Sequence, residues 1–185
     1  NTTIAVWDYS QTNIYGGWPK TILGPIPMNL IFAGLGGVCA ETNDGDPIVL
    51  YDEVADRWLV SQFALPIFDF DPNPYAYPFY ECVAISQTGD PSGAYYLYEF
   101  PAPTTGIDDD YDPATAQVPG SKMPDYPKFG IWQDGYYMTV NQFDEINFDW
   151  GGAGVYVFDR TAMLTGGAAD YFYFDPFSDF DCSLG

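Results

Sequence analysis

The chain has 185 residues, a net charge of −21 from 26 acidic and 5 basic side chains, and no histidine. A field of that sign repels nucleic acid and anionic membranes, and without imidazole there is no Ser-His-Asp or Cys-His chemistry and no histidine-ligated metal. Aromatic residues at 19% exclude a disordered chain, and no apolar run approaches the 18 or so residues of a membrane-spanning helix.

In chain order, residues 1–46 come first. Thr3–Ser10 (TIAVWDYS) has the composition of a strand, the outer strand of a neighbouring sheet unit. Thr21–Val38 is the most apolar segment, but its prolines and glycines argue against a helix. The chain begins at Asn1 without methionine or a signal peptide, which fits a mature, processed or fragmentary chain.

Four hairpins follow. Pro47–Ala64 reads as strand, polar turn, strand. Glu81–Phe100 repeats the pattern around a Thr-Gly-Asp-Pro-Ser-Gly loop. Tyr126–Phe143 turns at Asp134-Gly135, a pair that tolerates the positive φ of a two-residue hairpin. Pro127 marks the entry to that hairpin. Ala153–Phe174 is the fourth, with one helical turn expected in Arg160–Gly167 (RTAMLTGG).

The first hairpins of the two pairs start about 80 residues apart, and each pair supplies four antiparallel strands, the size of one β-propeller blade. We therefore expect an all-β chain of antiparallel four-stranded blades: a partial blade in 1–46, blade one at 47–100, an acidic connection at 101–126, blade two at 127–174 and an acidic tail at 175–185. A closed ring needs about four to eight blades. Three outcomes follow: a fragment of a longer protein, a ring closed with other chains, or a sandwich of the two sheets.

Of the three cysteines, Cys39 precedes the first hairpin and Cys82 begins the second, so Cys39–Cys82 is the expected disulfide. Cys182 is left for sequence outside this chain or for another chain.

Twenty-one of the 26 acids are aspartate, a residue of turns and of calcium sites. Calcium has two candidate sites: Asp108, Asp109, Asp110 and Asp112 in "GIDDDYDP", and Asn43, Asp44 and Asp46 in "NDGDP". Neither has EF-hand spacing. The competing role for each aspartate is to form turns and keep the surface solvated.

A candidate glycan surface lies in "DPNPYAYPFY", with Tyr75, Tyr77, Phe79 and Tyr80 on a proline-rich loop. Trp132, Trp150 and Tyr137 could extend it, or could fill the space between sheets. Glu81, between Tyr80 and Cys82, is the carboxyl best placed for a raised pKa.

The stretches "NDGDPIVLYDEVADRWLVSQF", "YECVAISQTGDPSGAYYLYEF", "YPKFGIWQDGYYMTVNQF" and "GAGVYVFDRTAML" resemble, in the same order, a family of secreted, mostly uncharacterised bacterial β-propeller proteins often described as sialidase-like. The resemblance covers about Phe32–Leu164, and members of that family continue beyond the last motif. Ser86–Tyr98 also looks like a relaxed Asp-box, in which Asp90 and Gly93 hold a turn on the outside of a blade.

The resemblance implies a propeller fold and export, but no substrate. A sialidase grips its substrate carboxylate with three arginines. This chain has two, Arg57 and Arg160, each beside an aspartate (Asp56, Asp159) in a turn where an ion pair or a turn hydrogen bond is the expected role. A complete sialidase site is excluded.

The expected function is thus an extracellular, calcium-stabilised binding or assembly module. Its partners would be other chains, the rest of a longer chain, or glycans. The alternative is part of a secreted glycoside-cleaving enzyme.

Overall fold

The computed structural model describes residues 2–10, 17–65, 79–102, 122–143 and 150–176. Its described residues are dominated by antiparallel sheet.

The first four-stranded sheet consists of β3 (Gly45–Asp52), β4 (Arg57–Ala64), β5 (Tyr80–Ser86) and β6 (Tyr95–Pro101), in sequence order across the sheet. The second consists of β7 (Met123–Ile131), β8 (Tyr136–Phe143), β9 (Trp150–Phe158) and β10 (Tyr171–Phe174), again in sequence order. Both are hairpin meanders, as the two pairs of hairpins predict. A separate hairpin joins β1 (Thr3–Asp8) to β2 (Lys20–Pro27).

The sheets stack face to face. Leu59, Val83, Ile85 and Phe100 of the first meet Tyr136, Met138, Val140, Tyr156 and Phe158 of the second in one core. The opposite face of the first sheet carries Val60, Ala64, Cys82 and Ala84, and it packs on Met28, Phe32 and Cys39 from the N-terminal segment. The first sheet is therefore a middle layer. That explains why "WLVSQFA" and "ECVAIS" lack the polar alternation of a half-exposed strand.

The two sheets run in the same sense. Near the start of β3, Asp46 Oδ2 accepts from the Tyr126 N–H of β7 at 3.2 Å. At the end of β3, Asp52 Oδ2 accepts from the Tyr136 hydroxyl, just past the end of β7, at 3.0 Å. At the opposite edge the sheets are bridged through α2 (Arg160–Thr165). The Tyr98 hydroxyl of β6 lies 3.2 Å from the Met163 carbonyl and 3.3 Å from that of Gly167. The second strands of the two sheets echo one another: Val60-Ser61-Gln62-Phe63 and Val140-Asn141-Gln142-Phe143, with both glutamines fully buried.

The connections through residues 66–78, 103–121 and 144–149 join strands at one end of the stack. The β3–β4, β5–β6 and β7–β8 turns and α2 lie at the other.

Several local expectations are corrected. The Asp134-Gly135 turn is a four-residue loop, closed by Trp132 N–H to the Gly135 carbonyl at 3.1 Å, and neither Asp134 nor Gly135 has positive φ. β7 begins at Met123, ahead of Pro127. Pro127 instead sits where the β7–β8 register shifts, on a strand at the edge of its sheet, where a missing N–H does least harm. Thr21–Val38 contains most of β2 and a 3-10 turn at Met28–Phe32, so no long helix forms there and Pro25 and Pro27 lie in a two-stranded hairpin. The helical turn after β9 is present. Asp159 caps it, accepting from Ala162 N–H at 3.0 Å, and Gly166 ends it at φ 72°.

Candidate functional site

A groove of about 870 Å³ lies between the open edges of the two sheets. One wall is β6. The other is the segment Gly166–Asp170 and the start of β10. Tyrosines shape it: Tyr98 reaches the carbonyls at the end of α2, and the Tyr171 hydroxyl donates to the Pro101 carbonyl at 2.6 Å. Burial raises the pKa of both phenols, so they stay neutral donors.

Two carboxylates line the groove. Glu99 Oε2 accepts from the Cys39 N–H at 2.8 Å, and Asp170 Oδ1 accepts from the Tyr171 N–H at 2.8 Å. No lysine or arginine lines it among the described residues. The groove thus offers aromatic surface, strand edges and negative charge.

A second feature lies between the sheets. Glu81 in β5 faces the second sheet and is 2% exposed. Burial pushes its carboxyl up to about 8. Ser61 Oγ is near enough to pull that value down but does not reach either oxygen with hydrogen-bond geometry. Asp46 pushes it further up. Both Glu81 oxygens, Ser61 Oγ, Gln142 Nε2 and the Tyr156 hydroxyl are buried without a hydrogen-bond partner among the described residues. Gln142 is engaged at its other end by the Tyr173 hydroxyl. Sequence reasoning found Glu81 from its apolar neighbours. It did not find the other orphaned groups, because they come from strands distant in the chain.

The expected site residues are placed as follows. Asp108, Asp109, Asp110, Asp112, Tyr75, Tyr77 and Cys182 lie outside the described residues. Asn43, Asp44 and Asp46 each tie down a different segment. Asn43 Nδ2 donates to the Thr2 carbonyl, Asp44 Oδ2 accepts from Leu65 N–H, and Asp46 accepts from Tyr126 N–H. Asn43 Oδ1 is buried and unpartnered, yet no three acidic or cysteine side chains converge on a cation among the described residues. Phe79 is buried with Phe63, Leu65 and Ala102, whereas Tyr80 is half-buried against the core below the first sheet. Trp132 and Trp150 are exposed at opposite ends of the second sheet.

The disulfide Cys39–Cys82 is formed as expected and joins α1 (Val38–Glu41) to β5. Arg57 makes turn hydrogen bonds, donating to the Ala55 and Asp56 carbonyls. Arg160 makes a structural ion pair as expected, with Asp52 of the other sheet, while the adjacent Asp159 caps the helix. In the β5–β6 loop, Gly93 N–H bonds the Asp90 carbonyl at 3.2 Å and Ser92 N–H bonds Asp90 Oδ1 at 2.8 Å, the turn-holding role expected of that pair.

No protein-family model, no curated protein and no solved structure matches the chain.

Proposed function

We propose that the chain is an extracellular binding and assembly module, a section of a β-propeller whose next blade is supplied by a second copy. The supporting observation is the way the two four-stranded sheets stack. They share strand order and direction and lie closest at β3 and β7. Such a relation is open-ended: the operation that lays the second sheet on the first can lay a third on the second.

The outer face of the second sheet fits that role. Phe172 and Phe174 of β10 are 75% and 50% exposed. They pair in register with Val157 and Val155 of β9, which pair with Tyr137 and Thr139 of β8. This is an apolar, β-branched and aromatic patch of the kind that the first sheet buries against the second. Export fits the disulfide, and calcium fits the aspartate content, with residues 107–113 and Asn43 Oδ1 as places to look.

The test is solution mass by light scattering, with calcium and with a chelator, for the wild type and Phe172→Asp. A defined multimer that falls to the monomer in the variant is expected, with chelation loosening it. A wild-type monomer under both conditions would remove both assembly and the calcium role. The enzyme alternative gains support from hydrolysis on a glycan panel.

A further inference from the structure

The groove touches Tyr96, Leu97, Tyr98, Glu99, Phe100 and Pro101 without a gap. Successive residues of a strand point to opposite faces of its sheet. A cavity bounded by six in a row must therefore run along the edge of the strand rather than over one face. β6 is the terminal strand of its sheet, and no strand pairs with its outer side among the described residues. Alternate N–H and C=O groups of such an edge strand point away from its sheet, the arrangement that accepts an added strand, although Pro101 has no N–H and its carbonyl already accepts from the Tyr171 hydroxyl. The opposite wall is Gly166-Gly167-Ala168-Ala169, whose side chains are minimal, with the Tyr96 ring packed directly against Gly166. The fixed charges at the groove are the carboxylates Glu99 and Asp170, on a chain of net charge −21.

We propose that this groove is a docking site for an extended, basic peptide segment of another protein, which adds to the open edge of β6 as a fifth strand of the first sheet. Main-chain hydrogen bonds hold the peptide, alternate side chains lie against Tyr98 and Phe100, and lysine or arginine side chains meet Glu99 and Asp170. The site is on the strand edge and does not require the outer face of the second sheet, so it stands apart from the assembly proposed above.

The probe is an acetylated, amidated octapeptide of alternating lysine and valine. Calorimetry gives its affinity, and amide hydrogen exchange of the folded chain locates it. We expect saturable binding with slowed exchange of alternate β6 amides. Backbone N-methylation along one edge of the peptide should weaken binding by more than about tenfold, because it removes the pairing donors. An alternating glutamate-valine peptide should not bind. Asp170→Lys, an exposed substitution, should weaken the basic peptide by about threefold or more. The proposal is overturned if no β6 amide is protected at millimolar peptide. It is equally overturned if peptides N-methylated on either edge bind as well as the parent, which would show adhesion to a negative surface only.

Discussion

Arg160 and Asp52, 108 residues apart, form a forked ion pair that crosses between the two sheets: Nε to Oδ2 at 2.7 Å and Nη2 to Oδ1 at 3.1 Å. Asp52 ends β3 and Arg160 opens α2. The Asp52 side chain is fully buried, and the Tyr136 hydroxyl shares its Oδ2. Removing one partner leaves the other buried and charged. Arg160→Met should cost about 3–5 kcal/mol of stability in urea unfolding. Asp52→Asn should cost less, since the amide keeps one acceptor for the guanidinium.

The same pair predicts an acid response. Burial by itself would raise the Asp52 carboxyl, but hydrogen bonds from Arg160, the Ala55 N–H and Tyr136 outweigh it and hold the value below normal. A depressed folded pKa contributes stability above the unfolded value, near 4, and that contribution is lost as pH falls through the folded value. Urea midpoints between pH 6 and pH 2 should drop more steeply in the wild type than in Asp52→Asn.

Glu81 has the opposite sign. Its folded value is about 8, against 4.5 for the free side chain. The fold prefers the protonated acid, so stability is full below about 4.5, declines as pH rises towards 8, and levels off above. Glu81→Gln keeps the shape and removes the proton. The variant should match the wild type near pH 4 and exceed it by about 2 kcal/mol or more at pH 9. Equal unfolding midpoints at pH 9 would mean that the carboxylate finds a partner when it ionises.

Cys39 and Cys82 are both fully buried, and their bond ties the N-terminal segment to the middle of the first sheet. Replacing both with alanine should cost about 2–5 kcal/mol. The loss should fall first on the layer of Met28 and Phe32, read as early amide exchange there while the core between the sheets stays protected.

The hairpins were legible because their information is local. Runs of strand-forming residues broken by polar turns, Asp90-to-Gly93 and the helical turn at Arg160 each need only a few neighbours to declare themselves. The disulfide was legible because both cysteines flank predicted elements. β2 was hidden because Pro25 and Pro27 look like loop residues until an edge hairpin makes them harmless. The ion-pair role of Arg160 was legible but its partner was not, since nothing local announces Asp52 in another sheet. The groove was invisible for the same reason: it exists in the separation of β6 from β10, a distance that no short stretch of sequence encodes.

The connections between strands fall at the two ends of the stack, and the end that carries the β3–β4 and β7–β8 turns is the less tolerant of inserted residues. At those two turns the chain reverses within four residues, and Tyr51, Asp52, Asp56 and Arg57 are bonded to one another or to the turn backbone. An inserted residue there would shift strand register and turn every side chain of the strand to the wrong face. At the other end the described strand ends are held by hydrogen bonds, Leu65 N–H to Asp44 Oδ2 and Ala102 N–H to the Phe79 carbonyl, so a change there frees a strand end and leaves the register alone.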